Sequence, residues 1–130
     1  MNEEHRVRER IVNWARAISS GDRAGILAHH APDLLMFDFR APPVEGIAAY
    51  DRTWDFFFAN PKGPISFVPH DLRVTAGDDV AFASCLVRCD GTSGGHVDLR
   101  LTVGLRKVAG EWTVIHEHHS VPTIEERFLP

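Results

Sequence analysis

The sequence lacks the features that mark several large classes of protein. No apolar run approaches the roughly 20 residues of a membrane-spanning helix. There is no basic excess either, since 14 lysine and arginine residues stand against 18 acidic residues and the net charge is −4. Proteins that bind nucleic acid or a membrane surface normally carry such an excess, so we expect neither partner. The N-terminal segment is charged and has no apolar core, which is not typical of a signal peptide.

Cysteine is also scarce. The only two cysteines, Cys85 and Cys89, lie four residues apart in a segment with strand character. On a strand their Cα atoms would be about 13 Å apart, which is beyond the reach of a disulfide. We therefore expect reduced thiols and a cytoplasmic protein. The sequence has no glycine-rich phosphate loop, no nucleophile elbow and no Cys-x-x-Cys motif, and it predicts no cofactor.

The 130 residues predict one domain, 1–130, that is large enough to bury a core without disulfides. Amphipathic patterns and turn residues predict three helices, over 3–19, 22–30 and 46–59. A short buried strand is expected over 34–39. Four longer strands follow, separated by glycine-containing turns, over 65–75, 79–89, 96–107 and 111–121. Helices first and antiparallel strands afterwards indicate an α+β protein whose helices pack on one face of a curved sheet.

The last hairpin allows a prediction of which residues share a face. An even loop at 108–111 places Arg100 opposite His119. With this register, His116 and His118 lie on the apolar face that the helices cover. His119 points to the other face unless a β-bulge near the end of the strand turns it inward.

The second face of the sheet mixes apolar and charged residues in this register. Such a mixture suits a subunit interface, and we expect a homodimer. The residues that this prediction places in the interface are Arg88, Arg100, Ile115 and Glu117.

Several segments resemble a known superfamily. They are Phe37-Asp38-Phe39, Pro42-Pro43-Val44-Glu45-Gly46, the run 71–81, Arg100-Leu101-Thr102 and the run 110–122. In these segments and in the order of its elements, the chain resembles the SnoaL-like and ketosteroid-isomerase-like superfamily, which has the cone-shaped fold of nuclear transport factor 2. The resemblance implies three helices on a strongly curved, mixed but mostly antiparallel sheet that forms a conical cavity. It implies no single reaction, because isomerases, cyclases, dehydratases and assembly domains share this fold.

Asp38 matches the place of the aspartate that abstracts a proton in the superfamily's isomerases. A carboxylate in an apolar cavity suits that task, because desolvation raises its pKa toward the working range. The alternative is that Asp38 only caps the proline-rich loop that follows it. The resemblance is incomplete, since Trp14 stands near the place of the isomerases' proton-donating tyrosine. The only tyrosine, Tyr50, lies in the third helix, so a steroid isomerase is not expected.

His116 and His118 are the other candidate catalytic residues. Their Cα atoms would be about 6.6 Å apart on one strand face, and either ring could act as acid, base or polar handle. The alternative is that these rings are buried, neutral and bonded to the backbone. A metal site would need a third ligand, none is obviously placed, and we predict no metal. Apart from these two and His119, the sequence has five histidines that are expected at helix ends, in loops or at strand edges, and most of them need no functional explanation. They are His5, His29, His30, His70 and His96.

The sequence thus predicts a pocket for a small hydrophobic molecule that bears a carbonyl or hydroxyl group. Isomerisation, cyclisation and dehydration would each fit a positioned base and donor. The alternatives are a non-catalytic ligand-binding module and a dimeric assembly module or scaffold. Besides the catalytic candidates, the residues expected to line the pocket are Trp14, Phe37, Tyr50, Trp54, Phe58, Leu101, Val103 and His119.

Overall fold

The structure, a computed structural model, describes residues 2–39 and 41–122. Its elements in chain order are α1 (Glu3–Ser20), α2 (Arg23–Leu27), β1 (His30–Phe37), β2 (Val44–Glu45), α3 (Ile47–Phe58), β3 (Ser66–Ala76), β4 (Val80–Thr92), β5 (Gly95–Val108) and β6 (Glu111–Ser120). The three helices and the four long C-terminal strands begin and end within three residues of their predicted bounds. The predicted α+β architecture is confirmed.

The first helix follows from its own sequence. Asn2 caps its N-terminus, because the Asn2 side chain accepts a hydrogen bond from the His5 backbone N–H at 2.8 Å. Gly21 ends the helix with a φ of 70°, a left-handed conformation that glycine adopts without strain. Val7, Trp14 and other apolar residues at helical spacing form a buried stripe against the sheet.

The six strands form one mixed sheet in the order β2-β1-β6-β5-β4-β3. Only the β1–β6 pair is parallel, and the other neighbouring strands are antiparallel. The helices cover one face, here called the inner face, and the core lies between them and the sheet. In the described part of the chain, no helix combines the length and apolar character needed to cross a membrane.

The first strand begins earlier than predicted. β1 starts at His30, whereas the sequence predicted a helix through residue 30 and a strand from residue 34. Its pairing with β6 is irregular between His30 and Leu35, and Pro32 lies within that irregularity. A bulge of this kind tolerates a proline that a regular ladder would not. As a result, His30 belongs to the sheet.

The last strand contains a β-bulge that the predicted register lacks. Ile115 is the extra residue, and the strand pairs beyond it with a shifted register. The observed pairs are Leu105 with Val114, Gly104 with His116, Val103 with Glu117, and Leu101 with His119. A one-residue shift exchanges the two faces of a strand.

The prediction that His116 and His118 lie under the helices is therefore wrong, and so is the prediction that Glu117 lies on the outer face. Glu117 and His119 are buried on the inner face instead.

Candidate functional site

The centre of the inner face holds a buried carboxylate. The Glu117 side chain is 1% exposed, and it contacts three polar groups from different parts of the chain. Its Oε2 lies 2.7 Å from His30 Nε2 and accepts a 2.7 Å hydrogen bond from the Tyr50 hydroxyl. Its Oε1 lies 2.8 Å from His119 Nε2. We call these four residues the Glu117 cluster.

Three elements bring the partners to Glu117. The parallel pairing of β1 with β6 carries His30 to the cluster, and α3 carries Tyr50 across the sheet. The His30 and Tyr50 rings are stacked, with centroids 4.9 Å apart. The Tyr50 hydroxyl also accepts a 3.1 Å hydrogen bond from Trp14 Nε1 on α1. The buried Tyr50 hydroxyl therefore both donates and accepts a hydrogen bond.

The contacts determine where the protons lie. Burial alone would raise the pKa of Glu117, but the hydrogen bonds and charges of His119 and His30 outweigh it and lower the pKa to about 2. Burial and the neighbouring Glu117 raise the pKa of Tyr50 well above its ordinary value, so the phenol keeps its proton. His30 Nδ1 lies 2.9 Å from the Ala28 carbonyl oxygen, which can only accept. With Glu117 ionised, both ring nitrogens of His30 lie against hydrogen-bond acceptors.

A cavity of about 540 Å³ adjoins the cluster. Most of its lining is apolar, and polar groups are contributed by Asp38, His119 and a few hydroxyl-bearing side chains. The lining residues are Met36, Asp38, Phe39, Thr53, Trp54, Phe56, Phe57, Phe67, Cys89, Thr92, Ser93, Gly94, Val97, Leu99, His119 and Val121. His119 is thus the member of the Glu117 cluster that borders this cavity, which we call the main cavity.

Asp38 lies just beyond the end of β1, at the wall of the main cavity. Its Oδ1 accepts a hydrogen bond from the Phe39 backbone N–H at 3.0 Å. Burial raises the pKa of Asp38, and the nearby His119 partly opposes this rise. A carboxyl group of this kind takes up a proton more readily than an exposed aspartate does.

The opposite part of the cluster borders a second, smaller cavity of about 340 Å³. It lies beneath α1 and α2, and its lining includes His30, Glu117, Trp14 and Val103. The Glu117 cluster therefore adjoins two cavities. In the ranges 2–39 and 41–122, no three His, Cys, Asp or Glu side chains are grouped so that they could hold a metal ion.

The predicted pocket residues are distributed over several places. Asp38, Trp54 and His119 line the main cavity, whereas Trp14 and Val103 line the second cavity. Tyr50 and Leu101 are buried outside the main-cavity lining. Phe58 packs against Trp54 and Phe57.

Three predicted site residues lie on the outer face of the sheet. Phe37 is exposed there and contacts the rings of His116 and His118, with centroid distances of 5.2 and 5.6 Å. His116 Nδ1 donates a 2.8 Å hydrogen bond to the Leu35 carbonyl oxygen, and His118 is exposed. The structure therefore does not place these three side chains in the cavity, because the bulge at Ile115 turns the two histidines outward.

Sequence reasoning missed His30 and Glu117 as members of the site. No local signal identifies His30, because its role depends on the parallel pairing with a strand more than 80 residues away. For Glu117, the possible bulge in the last strand was the available signal. The same bulge that turns His119 inward also turns Glu117 inward, since the two residues are two positions apart on one strand.

The comparisons with known proteins agree on family and fold. The model of a family described as the SnoaL-like domain matches residues 7–124. An NTF2-like protein of unknown function from Pseudomonas putida is 35% identical over 95% of this chain and 89% of that chain, with a TM-score of 0.86.

Two further solved structures, each under 20% identical, show the same fold. The S. rosetta CaMKII hub is 19% identical over 94% of this chain and 98% of that chain, with a TM-score of 0.81. A ketosteroid isomerase-like protein from Erwinia carotovora atroseptica is 17% identical over 95% and 100%, with a TM-score of 0.77. No curated protein matches the chain in sequence.

Proposed function

The chain belongs to the SnoaL-like domain family, and from this premise we propose that it binds a small hydrophobic carbonyl- or hydroxyl-bearing molecule in the main cavity and exchanges a proton with it. The observation that carries the proposal is that Asp38 and His119 border the same mainly apolar cavity. Solved structures of this fold include a ketosteroid isomerase-like protein, and that likeness extends to the fold alone.

The lining of the main cavity supports the class of ligand. Aromatic and aliphatic side chains favour an apolar molecule, and a volume of about 540 Å³ suits a small cyclic one. A few polar groups in such a lining orient the ligand. Asp38 and His119 can both form hydrogen bonds with a carbonyl or hydroxyl group, because each side chain can donate or accept a proton.

The chemistry that fits is general acid and base catalysis. Asp38 removes a proton from the carbon next to a carbonyl, and a second group returns a proton elsewhere on the ligand. Burial supports this role, since a base whose pKa is raised toward the working pH is more effective. Isomerisation, aldol-type cyclisation and dehydration each use such proton transfers. Cyclisation then forms a carbon–carbon bond between the enolate and a second carbonyl of the ligand, and dehydration expels a hydroxyl group of the ligand as water.

Deuterium incorporation tests the proposal without a known substrate. The protein is incubated in D₂O with a panel of cyclic ketones, and mass spectrometry follows exchange at the carbon next to the carbonyl. We expect catalysed exchange for at least one ketone. Asp38→Asn should reduce its rate by roughly 100-fold or more, with a thermal midpoint close to that of the unaltered protein.

The matched control is His118→Asn, a substitution on the outer face that should leave the exchange rate unchanged. Exchange that Asp38→Asn leaves intact would remove Asp38 from the mechanism. If no ketone in the panel shifts the thermal midpoint or exchanges, the proposed activity is wrong.

A second candidate function, dimeric assembly, is supported by the outer face of the sheet. Phe82 and Leu86 are 54% and 50% exposed there, and exposed apolar patches often mark protein interfaces. We propose a homodimer through this face, with Arg88, Arg100 and Ile115 in the interface. Glu117 has no part in it, because it is buried on the inner face. The S. rosetta CaMKII hub has the same fold.

Light scattering tests the dimer. The unaltered protein should have the mass of a dimer at micromolar concentration, and Leu86→Lys should shift it toward a monomer. Arg8→Glu, on the exposed side of α1, serves as the control and should leave the mass unchanged. A monomeric unaltered protein would contradict the assembly.

A further inference from the structure

The two carboxylate oxygens of Glu117 contact different groups. Oε2 contacts His30 Nε2 and the Tyr50 hydroxyl, which come from β1 and α3. Oε1 contacts His119 Nε2, its single hydrogen-bond partner among residues 2–39 and 41–122. Because two elements hold Oε2, the carboxylate cannot rotate without breaking both contacts, and Oε1 stays directed at His119.

This arrangement determines which nitrogen of His119 carries a proton. A carboxylate oxygen only accepts hydrogen bonds, so His119 Nε2 must be the donor. Within residues 2–39 and 41–122, the His119 Nδ1 atom has no hydrogen-bond partner. His119 also borders the main cavity, and Nδ1 is therefore the ring nitrogen left to a ligand.

The ring of His119 is also held by packing. The edge of Trp14 meets it at a centroid distance of 6.3 Å and an interplanar angle of 69°. The same Trp14 donates to the Tyr50 hydroxyl, which in turn donates to Glu117. The orientation of the ring and that of the carboxylate thus depend on one connected set of contacts.

His30 and Tyr50 hold Glu117 independently of His119. Oε2 lies 2.7 Å from His30 Nε2 and accepts a hydrogen bond from the Tyr50 hydroxyl. Glu117 is consequently not left as a buried carboxylate without partners when His119 is neutral, a state that would be costly. Asp38, at the end of β1, is a further titratable group that interacts electrostatically with His119.

We propose that Glu117 is a positioning residue, which holds His119 as the Nε2–H tautomer so that Nδ1 exchanges the proton with the ligand in the main cavity. This proposal rests on the proposed function of that cavity. His119 acts on the ligand directly, whereas Glu117 acts through His119, and His30 and Tyr50 act through Glu117.

The tautomer can be measured on the unaltered chain without any ligand. Nitrogen-15 NMR of the histidine rings separates protonated from unprotonated ring nitrogens, and His119→Gln identifies the His119 signals by their loss. We expect neutral His119 to carry its proton on Nε2. A proton on Nδ1 in the unaltered protein would overturn the proposal, whatever the behaviour of any variant.

Glu117→Gln provides the sharper test. His30 and Tyr50 both donate toward the position of Oε2, so the amide oxygen should occupy that position. The amide NH₂ then faces His119 and donates to Nε2, which forces the ring proton onto Nδ1. We expect this switch of tautomer together with a loss of roughly 100-fold in deuterium exchange and little change in ketone affinity. An unchanged tautomer in folded Glu117→Gln would overturn the positioning role.

Tyr50→Phe is the matched variant. It removes one donor to Oε2 and leaves Oε1 on His119, so the tautomer should persist. The two proposals fail separately. If the unaltered protein catalyses no exchange, the proposed function fails while the tautomer result still decides the role of Glu117. If exchange depends on Asp38 but His119 carries its proton on Nδ1, only the positioning role fails.

Discussion

The inner and outer faces of β6 carry similar side chains with very different surroundings. On the inner face, Glu117 and His119 are buried and bonded to each other. On the outer face, His118 is exposed and His116 bonds a backbone carbonyl. The comparison shows that a histidine on this strand gains a candidate chemical role from its position relative to the bulge and not from its residue type.

The inner face can hold a charge because distant parts of the chain meet there. The partners of Glu117 come from β1, α3 and β6 itself. A buried carboxylate without such partners would be strongly destabilising or would take up a proton. On the outer face, His116 bonds the Leu35 backbone carbonyl, and the rings of His116 and His118 contact Phe37.

Deleting Ile115 tests most directly whether the bulge determines which side chains of β6 lie on each face. Without the extra residue, the strand beyond Val114 changes phase, so that Glu117 and His119 turn outward. We expect the free energy of unfolding to fall by more than about 4 kcal/mol, because the core and the Glu117 cluster are both disrupted. Urea denaturation measures the loss.

Ile115→Val keeps the number of residues and serves as the control, with a loss of about 1 kcal/mol or less. A deletion variant with the unfolding midpoint of the unaltered protein would show that the bulge does not determine the two faces.

Truncating one side chain on each face should have unequal effects. Glu117→Ala removes the buried carboxylate that contacts His30, Tyr50 and His119, and we expect a loss of about 3 to 5 kcal/mol in unfolding free energy. His118→Ala removes an exposed ring and should change stability by no more than about 0.5 kcal/mol. Equal losses in urea denaturation would contradict the comparison.

Lowering the pH should gradually reduce the contribution of Glu117 to the free energy of unfolding. The pKa of Glu117 is lowered from an ordinary 4.5 to about 2, so the unfolded chain binds this proton more readily than the folded protein does. The stabilisation is complete above pH 4.5 and is lost as the pH falls toward 2, to a total of about 3 kcal/mol. Unfolding free energies measured from pH 6 to pH 2.5 reveal the slope.

Glu117→Gln should flatten that slope, because its side chain does not titrate. Glu45→Gln, at an exposed position on β2, should retain it. A slope that Glu117→Gln leaves unchanged would mean that other carboxylates account for the acid sensitivity.

Most of the fold could be predicted from the sequence. Helical spacing in the first half and turn residues in the second half determine the long elements, since these signals are local. Asp38 could also be found, because it follows an apolar strand and matches a superfamily position. These predictions required no knowledge of which strands pair over long distances.

The site itself could not be predicted in full. Beyond Val114 the strand offers few apolar residues, and alternation therefore gives no phase for Glu117 and its neighbours. The sequence predicted that His30 ends a helix, whereas it pairs with Val114 in the sheet ahead of an irregularity in β1. The sequence therefore did not reveal the irregularity in β1, the bulge in β6 or the parallel pairing of these two strands.

The order of the strands has a consequence for synthesis on the ribosome. β1 and β2 join the rest of the sheet only through β6, and β6 is the last strand to emerge. At a synthesis rate of about 5 to 20 residues per second, several seconds pass between the synthesis of Tyr50 and that of Glu117. Until then the nascent chain presents open strand edges, which are templates for pairing with other chains. The strand that supplies the carboxylate also joins the two parts of the sheet.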